Sequence, residues 1–336
     1  MILPWAETDV GSGERGDLAA RMQAFFGPDG PLSISKDYEY RAEQQQMAAA
    51  VAEALQGPRP LVVEAGTGVG KSLAYLTPAV LFALENQRKA VVSTHTINLQ
   101  EQLIDKDLPI LSKLLEVGFK AVLMKGRGNY LCPQRLKRVM GDAPDLFDTA
   151  DRAELEAIAD WAAETRDGTL SDLDFEPAAR VWSQVCSESH VCTPKTCSGE
   201  GRCFYQDVRR EVATADVVVL NHTLLFTLMS QMSESESAGE GFVFPNDFLV
   251  IDEGHTLENI AARQLGMRVS QAGLRFDLGK LYNPKKKRGL FHLLRHAAGA
   301  SRVTALTEQI DGFFEEVEGA CQFNSWGSEF RVRRPG

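Results

Sequence analysis

A strand, a glycine loop and a helix in immediate succession constrain this chain more than any other passage. Val63-Glu64-Ala65-Gly66-Thr67-Gly68-Val69-Gly70-Lys71-Ser72 follows the apolar run Leu61-Val62-Val63 and leads into Leu73-Ala74-Tyr75-Leu76. That context is the one a phosphate-binding loop requires. Loop N–H groups and the helix N-terminus present positive charge to an anion, and Gly66, Gly68 and Gly70 let the backbone approach phosphate oxygens. In such a loop Lys71 reaches the β- and γ-phosphates and Ser72 holds Mg²⁺. Ala65, Gly66, Thr67, Gly68, Val69, Gly70, Lys71 and Ser72 are therefore the candidate nucleotide-binding residues. Ala65 stands where the usual pattern opens with glycine. The plain alternative is an ordinary glycine-rich turn between a strand and a helix.

A phosphate loop needs a second half, and Phe248-Leu249-Val250-Ile251 supplies it by ending in Asp252-Glu253-Gly254-His255. A carboxylate at the tip of a parallel strand beside the loop can bind Mg²⁺, usually through water. The next carboxylate can orient and deprotonate the attacking water. Asp252 and Glu253 take those roles, and His255 sits near the γ-phosphate as a relay toward a nucleic-acid side. An acidic strand end alone also describes the start of a solvated loop. Paired with Lys71, it is specific.

The remaining apolar runs fit the same architecture. Ala90 to Thr94, Ala121 to Met124, Val217 to Leu220 and Phe248 to Ile251, with Leu61 to Val63, make five short runs mostly separated by helical stretches. This is the pattern of a doubly wound α/β parallel sheet with helices on both faces and ligands at the carboxyl ends of its strands. Met47, Val51 and Leu55 predict a helix between Tyr38 and Leu55 that stops at Gly57-Pro58. The gap from Met124 to Val217 is too long for one crossover and predicts an inserted subdomain. Beyond about Arg263 the pattern turns helical and polar, through Leu290 to Leu294 and Val303 to Phe314. Residues 1 to 35 read as a leader with a short helical pattern around Leu18 to Phe26.

Composition sets outer limits. The 336 residues allow about two domains. The start, Met1-Ile2-Leu3-Pro4-Trp5, lacks signal-peptide character, and no apolar run approaches the roughly 20 residues that cross a bilayer. A soluble, cytoplasmic protein without a membrane partner is expected. The net charge of −10 argues against wholesale coating of nucleic acid but permits a local basic track. Acidity gathers between Asp142 and Glu176, whereas Lys285-Lys286-Lys287-Arg288 is either a solvated loop or part of such a track.

Six cysteines in a cytoplasmic chain point to metal or catalysis before disulfides. Cys192, Cys197 and Cys203 lie close in sequence, and Cys132 reaches in from far upstream. Zinc sites favour close cysteine doublets, which this group lacks, whereas a 4Fe–4S cluster tolerates varied spacing around its four thiolates. From spacing, a cluster, a zinc ion and unligated thiols all stay open. Cys186 reads as a bystander in a half-buried segment, and Cys321 as a core thiol.

Together these residues resemble the DinG/XPD-like iron–sulfur superfamily 2 DNA helicases, the bacterial DinG branch in particular, from about Tyr38 to Ala262. Many helicases open the phosphate loop with alanine, as at Ala65. Tyr40-Arg41-Ala42-Glu43-Gln44 is similar to the family's adenine-reading segment, which implies Gln44 at the base and Arg41 beside it. Ser93-Thr94-His95-Thr96-Ile97-Asn98-Leu99-Gln100-Glu101-Gln102 is similar to the segment that touches the DNA backbone. Lys125-Gly126-Arg127-Gly128-Asn129-Tyr130-Leu131-Cys132 resembles the entry to the cluster domain, and Cys203-Phe204-Tyr205 with Ala215 to His222 the exit. The resemblance implies Cys132, Cys192, Cys197 and Cys203 as ligands of a 4Fe–4S cluster, and Thr94, Thr96, Gln102 and Arg127 as DNA contacts. It implies a RecA-like motor domain over residues 36–130 and 205–262, a cluster insertion over 131–204 and a partial helical arch over 263–336.

The implied activity is ATP-dependent 5′ to 3′ translocation on single-stranded DNA with unwinding at DNA junctions, using ATP and Mg²⁺. The family's second motor lobe and its arginines do not appear, nor does the exonuclease domain of some members. The expectation is an N-terminal fragment that binds ATP and hydrolyses it poorly without the C-terminal lobe. The rival reading is a nucleotide-gated DNA-binding module without motor activity.

Overall fold

The computed structural model describes residues 17–34, 39–66, 68–146, 149–188, 192, 197, 202–232, 243–267, 269–285 and 287–321. Thr67 and Lys286 lie outside the described residues. Two units are distinguished, Met1–Leu265 and Gly266–Gly336.

The first unit contains α1 (Leu18–Phe25), α2 (Ala42–Gln56), α3 (Lys71–Asn86), β1 (Lys89–Thr94), α4 (Ile97–Gln102), α5 (Leu108–Leu115) and β2 (Ala121–Leu123). It continues through α6 (Pro133–Leu146), α7 (Thr149–Glu164), α8 (Ala179–Val185), α9 (Phe204–Ala213), β3 (Val217–Asn221), α10 (His222–Met232), β4 (Asp247–Ile251) and α11 (Leu257–Leu265). The strands form one parallel sheet in the order β2-β3-β1-β4.

Side chains alternate across each strand, so this sheet separates two cores. Ala90, Val92, Val217, Val219 and Phe248 face one core with α1, α2, α3 and α5. Val91, Val122, Val218 and Leu220 face the other with residues of α6 to α10. Near-continuous apolar strands are what burial on both faces demands. The chain between β2 and β3 is thereby packed onto the sheet's second face through Leu136, Leu155, Ile158, Val181 and Trp182.

Three expectations change. Leu61–Val63 is not a strand, and Val62 is 94% exposed. An apolar run reports a capacity for burial, but a strand needs a ladder partner, and among the described residues this run has none. The segment expected as a leader carries α1, whose Leu18, Met22 and Phe25 are buried in the first core. Cys321, expected in a core, is only half-buried at the end of the last helix.

The second unit comprises α12 (Gln271–Leu281), α13 (Leu290–Leu293) and α14 (Ala297–Cys321). Asp311 on α14 accepts from Gln271 and Arg275 on α12, tying the two helices together. Among the described residues no helix is long and apolar enough to cross a membrane.

Candidate nucleotide site and thiol constellation

The carboxyl ends of adjacent strands converge here. In register, Ser93 and Thr94 of β1 lie beside Leu220 and Asn221 of β3 and beside Ile251 of β4. Asp252 follows β4 directly and donates its backbone N–H to Ser93 O at 2.8 Å. Thr94 Oγ1 donates to Asp252 Oδ2 at 3.4 Å. This is where an open parallel sheet offers its ligand crevice.

The loop from Gly66 feeds the first turn of α3. Gly68 and Gly70 adopt φ of +81° and +80°, the left-handed region that an L side chain enters only with strain. A Cβ on Gly70 would fall 2.3 Å from Gln44 Nε2. That closeness is functional in the fold, since Gln44 Nε2 donates to Gly70 O at 3.0 Å and Arg41 Nη1 donates to Gly68 O. Arg41, at the N-cap of α2, and Gln44 in its first turn thus brace the loop. Ala65 and Gly66 precede this braced turn, and Val69 stands within it.

Lys71 opens α3 and extends Nζ to 3.2 Å from Glu253 Oε1, joining positions 182 residues apart. Glu253 Oε2 lies 3.4 Å from His255 Nδ1. The acidic pair is therefore held against the loop lysine, as the sequence pairing requires. Burial, then the charge of Glu253, raises the Asp252 carboxyl above its usual range, with Lys71 opposing. Ser72 lies beside Tyr75 and Asp107, and its hydroxyl opposes the upward push that burial gives the Asp107 carboxyl. Asp107 reaches inward from a π-turn, Leu103–Asp107, of the kind often found where a helix serves a site.

The residues expected at DNA divide. Thr96 is exposed and caps α4 by accepting from Leu99 N–H, and Gln102 is exposed with its amide 3.5 Å from Asp107 Oδ2. Thr94, by contrast, is wholly buried against Asp252. Arg127 places its guanidinium 4.2 Å over the Tyr205 ring.

That guanidinium also faces a thiol. Burial pushes the Cys192 thiol up, but the Ser187 hydroxyl, the Glu188 amide and Arg127 outweigh it and favour thiolate. Burial raises Cys132, and the neighbouring Cys192 and Cys203 raise it further. Cys197 is raised by burial and then by Cys203 and Cys192. Cys132 and Cys197 each therefore feel the charge of Cys192 and Cys203. Backbone bonds fix the entry: Cys132 N–H donates to Val185 O at 2.8 Å, and Ser187 N–H to Tyr130 O at 2.7 Å. Cys186 adjoins the group, its carbonyl held by Arg135 at 2.6 Å. Among the described residues no group of three His, Cys, Asp or Glu side chains is arranged to hold a metal ion.

One buried residue escaped the sequence reading. His222 is fully buried at the start of α10, with Nδ1 2.7 Å from Ser93 Oγ. Its position at the end of an apolar run, like that of Ser93 and Asp252, is the signal that marks it.

Residues 42–142 match the model of the DEAD/DEAH box helicase family. The chain is 36% identical over 270 residues to the ATP-dependent DNA helicase YoaA of Haemophilus influenzae, covering 80% of this chain and 41% of that protein. It is 35% identical over 297 residues to the ATP-dependent helicase DinG of Mycobacterium tuberculosis, covering 80% and 44%. With the ATP-dependent DNA helicase DinG of Escherichia coli it shares 35% over 251 residues, covering 69% and 34%. The chain thus spans less than half the length of these curated relatives.

Proposed function

We propose, from the premise that this chain belongs to the DinG-like DEAD/DEAH box helicases, that it carries the ATP-binding part of a DNA-translocating motor. One observation carries the reading: the 3.2 Å approach of Lys71 to Glu253, which brings the phosphate loop and the acidic strand end into one site. With nucleotide bound, Lys71 exchanges Glu253 for the β- and γ-phosphates, freeing that carboxylate to orient and deprotonate water. Ser72 and Asp252 are the residues that would hold Mg²⁺, which would neutralise charge on those phosphates. Asp252 is half-buried beside the charge of Glu253, and both hold its carboxyl above the usual range; a cation there would relieve that crowding. Gln44, whose Nε2 donates to Gly70 O, is the proposed reader of the adenine edge, with Arg41 beside it.

DNA is the proposed partner. Exposed Thr96 and Gln102 offer backbone contacts on α4, whereas Arg127 serves the thiols more directly than DNA. Single-stranded DNA at junctions is the substrate class, bound through phosphates and so weakened by salt.

The thiols Cys132, Cys192, Cys197 and Cys203 suit a 4Fe–4S cluster by donor type, although among the described residues they are not drawn together as a metal site. Such a cluster would supply a rigid cross-link for residues 131–204, steadying the surface that meets a duplex. Residues 36–130 and 205–262 are proposed as one motor domain, and 263–336 as part of an arch.

The test is ATP hydrolysis by this chain, prepared anaerobically, with and without single-stranded DNA. DNA-stimulated turnover that disappears in Glu253→Gln supports a motor. Mg²⁺-dependent nucleotide binding without stimulated turnover supports the rival reading of a gated binding module, or a need for the second lobe. Absence of nucleotide binding refutes the proposal.

A further inference from the structure

The ends of β3, β1 and β4 bury a histidine that nothing above employs. His222 has no exposed surface, its Nδ1 contacts Ser93 Oγ at 2.7 Å, and its Nε2 is buried without a hydrogen bond among the described residues. A buried polar atom left unmade costs about 1–3 kcal/mol, so an unused Nε2 beside a functional site calls for a partner in another state. The carbonyls of Asp252 and Glu253 lie close enough to pull on the ring, although outside hydrogen-bond geometry. Glu253 itself sits at φ +54°, an uncommon left-handed conformation for a glutamate.

We propose that His222 is a positioning residue for the catalytic carboxylates, with Nε2–H donating to the Asp252 carbonyl once Mg·ATP is bound. This inference rests on the nucleotide reading above and deepens it. The tautomer follows from the partners. A carbonyl only accepts, so Nε2 must carry the proton; Nδ1 is then an acceptor, and Ser93 O–H donates to it. Ser93 links the two ends of the device, because its carbonyl already receives the Asp252 N–H at 2.8 Å. Glu253 O already accepts from Thr256 N–H at 3.1 Å and from Thr256 Oγ1 at 3.0 Å, which leaves the Asp252 carbonyl for Nε2. Breaking the Lys71–Glu253 pair on nucleotide binding frees this strand end to bring that carbonyl in. His95, two residues before α4, places its ring 6.3 Å from that of His222. Nucleotide state and the DNA-side helix would then share one buried imidazole.

Two measurements test this. The chain has six histidines, and ¹⁵N-histidine spectra compared with His222→Gln assign the His222 ring. Without nucleotide, a protonated Nε2 and a bare Nδ1 are expected; an Nδ1–H tautomer overturns the inference while leaving the nucleotide reading intact. Adding Mg²⁺ and a non-hydrolysable ATP analogue should shift the Nε2 resonance in the direction of hydrogen-bond formation. Analogue bound, by fluorescent-nucleotide displacement, with Nε2 unmoved also overturns it. Absence of any analogue binding overturns the nucleotide reading and this inference together.

Side-chain shape supplies the second arm. Asparagine can reproduce the Nδ1 position but not Nε2, whereas glutamine can place an N–H near Nε2. His222→Asn should weaken analogue binding about tenfold, the effect of one lost buried hydrogen bond. His222→Gln should recover most of that loss. Equal weakening in both variants contradicts the role assigned to Nε2.

Discussion

Replacing Gly70 with alanine probes the phosphate loop at a single carbon. The left-handed backbone at φ +80° costs an L residue about 1–2 kcal/mol. The new Cβ also falls 2.3 Å from Gln44 Nε2, so the 3.0 Å bond from Gln44 to Gly70 O must break or bend. Losing a buried hydrogen bond adds about 1 kcal/mol. Gly70→Ala should therefore destabilise the chain by roughly 2–3 kcal/mol. Gly66→Ala is the control: its Cβ meets nothing within 4 Å, and its backbone lies outside the left-handed region. That change should alter stability by no more than about 1 kcal/mol, and in the favourable direction. Urea unfolding followed by circular dichroism gives each value. A Gln44→Ala background separates the two contributions, because it removes the clash and leaves the backbone strain, about 1–2 kcal/mol. Equal costs for Gly66→Ala and Gly70→Ala, or an unchanged Gly70→Ala cost without Gln44, would refute the reasoning.

Other outcomes follow from the same contacts. Lys71→Ala should leave the unfolding free energy within about 1 kcal/mol of the parent, since its ion pair with Glu253 is partly exposed; calorimetry should nevertheless show nucleotide binding lost. Asp252→Asn should raise the melting temperature at neutral pH. The Asp252 carboxyl is held above its ordinary value, so the unfolded chain releases that proton first, and parent stability falls as pH rises from the ordinary carboxylate range. The variant's advantage should shrink toward about pH 3, where both states are protonated, and Mg²⁺ added with nucleotide should narrow it at pH 7. Serine at Cys132, Cys192, Cys197 or Cys203 should each lower iron and acid-labile sulfide in anaerobically purified protein, whereas Cys186→Ser should retain both. Retention of full iron in the Cys132 variant would remove that thiol from the proposed ligand set.

Much of the sheet was legible because its strands are buried on both faces and so read as unbroken apolar runs, as in Val217 to Leu220. Leu61 to Val63 has the same composition without a partner, and composition cannot distinguish the two. The pairing of Lys71 with Glu253 was legible because each belongs to a short pattern with its own chemistry. The contacts that join distant segments were not. Arg127, which the resemblance implies as a DNA contact, is found with its guanidinium over Tyr205. Thr94 reads as a DNA contact until burial turns it onto Asp252. His222 reads only as the close of an exit segment, although a polar residue ending an apolar strand run beside two others is the mark shared by Ser93 and Asp252. Local pattern thus recovered elements and paired motifs, while the partner of each polar side chain depended on which strand ends the sheet brings together.

The central claim is that loop and acidic strand end form one Mg²⁺-dependent nucleotide site. Isothermal titration of ATP into this chain, with and without Mg²⁺ and in parallel with Lys71→Ala, tests it most directly. The account predicts a single Mg²⁺-dependent site in the parent and none in the variant. Equal binding by both proteins, or no binding by the parent, would contradict it.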